Sequence, residues 1–67
     1  MLTFTFYLHD GAATVPAFEI ELLDRDEDAL AHGRRLLSQR PRYTHVEITE
    51  GDRPVGSIAR DQGAGAV

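Results

Sequence analysis

The chain has no cysteine, no lysine and no tryptophan, and no apolar run approaches the length a membrane span requires. Without cysteine there are no disulfides and no thiolate metal sites, a composition that fits a reducing compartment. Met1 to Leu8 alternates in polarity and has no basic start, so it does not read as a signal peptide. A cytoplasmic protein without membrane contact is expected. Without lysine, arginine is the sole strong cation, and seven arginines against eleven carboxylates leave a net charge of −4. That sign repels phosphate backbones and disfavours non-specific nucleic-acid binding. Lysine-free, Ala- and Arg-rich usage is what a GC-rich genome produces.

At 67 residues the chain suffices for one domain. A domain of this size buries only about 60% of the surface its unfolded chain exposes. Small folds commonly supplement a thin core with disulfides, a metal or a second subunit. With the first excluded, self-association is the expected supplement, and a symmetric homodimer is its commonest form.

Leu2, Phe4, Phe6 and Leu8 alternate with Thr3, Thr5, Tyr7 and His9, the period-two pattern of a half-buried strand. Asp10-Gly11 is turn chemistry, and a second strand is expected from Val15 to Leu22. Phe18, Ile20 and Leu22 share one of its faces and Glu19 and Glu21 the other, while Pro16 belongs at the strand start or on a sheet edge. Asp24 and Glu27 have capping-box spacing and open a helix. Ala29, Leu30, Gly33, Leu36 and Leu37 form its apolar stripe. Gly33 costs about 1 kcal/mol against Ala there, and a close approach of helix to sheet is the use it suggests. Asp26, Glu27 and Asp28 suit the positive end of the helix dipole, Arg34, Arg35 and Arg40 the negative end, and Pro41 stops the helix. Tyr43 to Glu50 and Val55 to Arg60 read as two further strands around the turn Glu50-Gly51-Asp52-Arg53-Pro54. Val55 and Ile58 fall on opposite faces by strict alternation, a conflict that a bulge would resolve.

These elements predict an α+β fold: a four-stranded antiparallel ββαββ sheet of order 2-1-3-4, with one helix on one face. Residues 1–60 form the domain and residues 61–67 a flexible C-terminal tail. The other sheet face is then uncovered and carries Thr3, Thr5, Tyr7, His9, Tyr43, His45, Glu47 and Thr49.

The stretches Phe4 to Gly11, Glu21 to Asp24 with the Ala-Leu helix after it, and Val46 to Val55 resemble a family of small bacterial proteins that carries a domain-of-unknown-function label. The resemblance spans residues 2–60 and implies the same layout with no assigned activity. The ββα start is also similar to the antitoxin half of some bacterial toxin–antitoxin pairs, without a separate DNA-binding segment.

Chemistry is sparsely signalled. Ser38 and Ser57 have no nucleophile motif around them, and no Gly-rich phosphate loop appears, so no enzyme, catalytic residue or cofactor is expected. His9 and His45 with Asp10 or Glu47 approximate a zinc ligand set, yet no HxxxH or HExxH spacing accompanies them, and no metal site is assigned. His9-Asp10 is also a phosphohydrolase dipeptide whose other ligands are missing. Arg34, Arg35, Arg40 and Arg42 form a local basic cluster near the helix end, with Tyr43 beside it to stack on a base. Dipole compensation accounts for the first three without a nucleic acid. The open face offers aromatic and imidazole rings with polar tips, which suits an interface, and Thr5, Tyr7, His9, Tyr43 and His45 are its candidate residues. The expected function is a small, self-associating protein-interaction module. The alternative is an antitoxin-like or nucleic-acid-associated regulator using the arginine cluster.

Overall fold

Because Leu2, Phe4, Phe6 and Leu8 alternate with polar residues, Leu2–His9 forms a strand (β1) in which Phe4, Phe6 and Leu8 are fully buried and Leu2, at its start, is exposed. The computed structural model describes residues 1–11 and 16–60; Val15 and the predicted tail 61–67 lie outside the described residues. The remaining elements are β2 (Ala17–Leu23), α1 (Asp26–Gln39), β3 (His45–Glu50) and β4 (Arg53–Ala59). All strand pairings are antiparallel in the order β2-β1-β3-β4, the expected α+β arrangement. Among the described residues no helix is long and apolar enough to cross a membrane.

Both turns expected from Gly use positive φ, with Gly11 at 84° and Gly51 at 59°. The bulge falls opposite Ile48 and Thr49: Ile48 pairs with Gly56 and Thr49 with Pro54, leaving Val55 as the extra residue. Val55 then packs against the core and Ile58 is buried, so both serve the same side despite their spacing.

Helix α1 begins one residue later than the capping-box spacing suggests. Its N-cap is Arg25, with no side-chain cap, and the predicted Asp24 cap is not formed. The Arg25 guanidinium instead lies 2.7 Å from Glu27 and 3.5 Å from Asp28, so the first turn is tied by charge pairs. No basic residue occupies the last turn. That role passes to Arg60, which follows β4 and donates to the carbonyls of Leu37, Arg40 and Tyr43. At the other end of β4, Arg53 donates two hydrogen bonds to Asp26, at 2.8 and 2.9 Å, and one to Glu50 at 3.2 Å. The Arg53 guanidinium holds the Asp26 carboxyl below the usual carboxylate range.

The core consists of Phe4, Phe6 and Leu8 from β1, Val46 and Ile48 from β3, Ile58 from β4, and Ala29, Leu36 and Leu37 from α1. Gly33 permits this packing. A Cβ built there would lie 3.0 Å from Ile48 Cδ1, 3.1 Å from Ile58 Cδ1 and 3.3 Å from Val46 Cγ1. Gly33→Ala is expected to lower stability by about 1 kcal/mol, because overpacking outweighs the gain in helix propensity. A urea midpoint shifted upward instead would mean that the three side chains yield freely.

Strand β2 turns its apolar face outward. It contributes no fully buried side chain among the described residues, and Phe18, Ile20 and Leu22 point away from the helix. They pair with Tyr7, Thr5 and Thr3, whereas Glu19 and Glu21 pair with Phe6 and Phe4 on the helix side. The inward carboxylates are tolerable because β2 is an edge strand, where α1 packs less than on β3 and β4. Arg40 at the helix C-cap also reaches down to pair with Glu19. Tyr43 differs from expectation as well. It precedes β3 rather than starting it and packs against the core, so it is not on the open face.

Candidate functional site

The sheet face opposite α1 is the candidate site. Strand alternation sends Thr3, Thr5, Tyr7 and His9 of β1 to this side, and cross-strand register adds Leu22, Ile20 and Phe18 of β2. From β3 come Thr49, Glu47 and His45, with Ser57 of β4 beside Glu47. Of the residues predicted for it, Thr5, Tyr7, His9 and His45 are therefore brought together, and Tyr43 is not.

Its apolar content is larger than the sequence suggested. Phe18 is 62% exposed, Ile20 55%, Leu22 57% and Tyr7 37%, and the Tyr7 and Phe18 rings lie 6.4 Å apart. Three large aliphatic or aromatic side chains in a row on one strand form a contiguous patch rather than scattered surface residues. Glu47 is the sole carboxylate on this face among the described residues, although the chain holds 18 charged side chains in all (7 + 11).

At one end of the face His9 and His45 stand directly opposite each other on neighbouring strands. Their rings are stacked, with centroids 4.3 Å apart and planes 3° from parallel. His9 Nε2 lies 2.8 Å from the Glu47 carboxylate, close enough for an ion pair, yet it is shielded from solvent and makes no hydrogen bond among the described residues. Thr44 lies beneath the pair: its hydroxyl is 3.2 Å from the His9 carbonyl and 3.2 Å from His45 Nδ1.

A second polar group lies on the helix side, where Glu19, Glu21 and His32 bring ligand-type atoms within 4.8 Å of one another. The His32 and Phe6 rings meet edge to face with centroids 4.9 Å apart, and His32 Nε2 is likewise shielded without a hydrogen-bond partner among the described residues. Arg40 already engages Glu19.

The predicted arginine cluster is divided among other tasks. Arg40 pairs with Glu19, while Arg42 lies 3.7 Å from Asp10 and 5.5 Å above the Tyr43 ring. Arg34 and Arg35 are exposed on α1.

The chain matches no family model, no curated protein and no solved structure, and the resemblances drawn from its sequence rest on the residues quoted for them.

Proposed function

We infer that this protein is a non-enzymatic interaction module whose open sheet face packs against the same face of a second copy. The observation that carries this reading is the exposed row Phe18, Ile20 and Leu22 beside Tyr7. Strand register decides which face a period-two pattern presents, and a one-residue slip in β2 would have turned these side chains under the helix. The adopted register instead leaves them outward, where burial against a partner is their main source of stabilisation.

Two features favour a second copy over an unrelated partner. With a net charge of −4, copies of the chain repel each other, yet among the described residues this face carries a single carboxylate beside an imidazole. Charge depletion at the centre with aromatic enrichment is the composition of an interface core. The molecule is also thin, 32 × 30 × 18 Å in extent. A standard interface takes about 800 Å² per partner, about a sixth of the chain's 4536 Å².

Face-to-face packing is preferred to edge pairing of β2 with β2. A two-fold register that pairs most of the strand and aligns the open faces sets Glu19 or Glu21 opposite a glutamate of the other copy. Like charges directly opposite destabilise a strand pair, and inward-pointing edge charges are a known safeguard against such pairing.

Sedimentation equilibrium at high micromolar concentration tests the reading. The wild type should give twice the 7.4 kDa chain mass. Ile20→Asp should weaken association at least about 100-fold, since it buries an unpaired charge in the contact. Arg34→Asp, on the helix, should leave the mass unchanged. A monomeric wild type at that concentration would refute self-association.

A further inference from the structure

We propose that His9, His45 and Glu47 form a binding site for a divalent transition-metal ion, with Zn²⁺ as the fitting probe. Their ligand-type atoms already lie within 4.8 Å of one another. Two imidazoles and a carboxylate are a donor set suited to zinc and its borderline neighbours, and three protein ligands leave a fourth position for water or an anion.

Two observations beyond proximity support the site. The first is His9 Nε2, shielded from solvent, without a hydrogen bond among the described residues, and 2.8 Å from a carboxylate oxygen. A shielded nitrogen beside a carboxylate without a well-directed hydrogen bond is poorly satisfied, and a cation shared with Glu47 would satisfy both atoms. The second is Thr44. Its one hydroxyl proton goes to the His9 carbonyl, so its oxygen accepts from His45 Nδ1–H. That tautomer leaves the lone pair of His45 on Nε2, the nitrogen available to a metal. Such an outer hydrogen bond is the usual means of orienting a ligating histidine.

Binding requires a small rearrangement. Ligand atoms of a tetrahedral zinc shell stand about 3.3 Å apart, which follows from bonds of about 2.0–2.1 Å. Parallel rings also direct their in-plane lone pairs along parallel planes, so at least one imidazole must turn about its Cβ–Cγ bond. Both rings are half-buried at the end of the sheet rather than locked in the core. The site does not depend on the proposed dimer, because all three ligands come from one chain.

Titration of the full chain with zinc chloride in metal-free buffer, followed by calorimetry, is the test. One Zn²⁺ per chain is expected. His9→Ala and His45→Ala should each weaken binding at least about tenfold, and Glu47→Gln, at an exposed position, should weaken it without risk to folding. Thr44→Val should cost about tenfold and Thr44→Ser restore affinity, as a positioning hydroxyl requires. His32→Ala should leave the binding unchanged. The Ile20→Asp chain should still bind, which separates this site from the dimer. Absence of saturable binding by the wild type, or affinity that survives His9→Ala and His45→Ala but is lost in His32→Ala, would overturn the assignment.

Discussion

Phe6→Ala should lower the unfolding free energy by about 3–5 kcal/mol, the range for truncating a fully buried phenylalanine. Phe6 is 0% exposed, pairs in register with Ile48 on one side and Glu19 on the other, and meets the His32 ring edge to face with centroids 4.9 Å apart. It is thus surrounded on β1, β2, β3 and α1 at once, so little can collapse into the space it leaves. A domain of 67 residues has roughly 3–10 kcal/mol to lose, from about 0.05–0.15 kcal/mol per residue. The variant should therefore lose a substantial part of its stability, and all of it if the domain lies at the lower end of that range. Phe18→Ala provides the contrast. It removes a ring of the same size that is 62% exposed, and in a monomeric background its effect should stay within about 0.5 kcal/mol. Both comparisons belong in the Ile20→Asp chain, because association adds a concentration-dependent stabilisation. A Phe6→Ala loss below about 1 kcal/mol by urea titration would show that the central strand is not the pivot of the core.

The contrast between these two phenylalanines also marks where the sequence stops being legible. Alternation told correctly that Phe18, Ile20 and Leu22 share a face, but period two defines two faces and does not say which is inward. In β1 the partition was unambiguous, since the face opposite Phe4, Phe6 and Leu8 carries two threonines, a tyrosine and a histidine. In β2 the polar set is a pair of glutamates that look like surface residues, and one of them, Glu19, is paired by Arg40, distant in the chain. Strand order followed from short connections and one helix, and it was met. The His9–His45–Glu47 group could be drawn from the sequence as a possible ligand set, because the expected strand order sets β1 beside β3, but without a spacing that marks it as a site. It is assembled across strands, so no spacing along the chain can signal it. Tyr43 matched the alternation of β3 but lies before its first residue, where the chain is not bound to strand geometry.

Arg60 was the least legible residue, and its removal should have the second large effect. Arg60→Ala is expected to destabilise the fold by about 3 kcal/mol, with the last strand affected first. Its Nη2 donates to the carbonyls of Leu37 at 2.6 Å, Tyr43 at 2.7 Å and Arg40 at 3.0 Å, and its Nε donates to Tyr43 at 3.0 Å. The last carbonyls of a helix have no intrahelical partner, and α1 has no basic residue of its own in the last turn. One part-buried guanidinium therefore satisfies the helix end, places positive charge on the negative end of its dipole, and binds β4 to both. Losing partners for part-buried carbonyls costs about 1–3 kcal/mol per group left unsatisfied, less where water can enter. Arg60→Lys keeps the charge but not the planar fork, so it should recover only the dipole share, under about 1 kcal/mol. Arg53, which clamps the other end of β4, is exposed, and Arg53→Ala should cost less than Arg60→Ala because solvent takes over its contacts. This ordering follows from the burial of β4 itself, whose only buried side chain is Ile58. Hydrogen exchange at Ser57 and Ile58 should accelerate in Arg60→Ala well before exchange in β1 does. Uniform acceleration across both strands would mean that Arg60 stabilises the fold globally and does not hold β4 to the helix end.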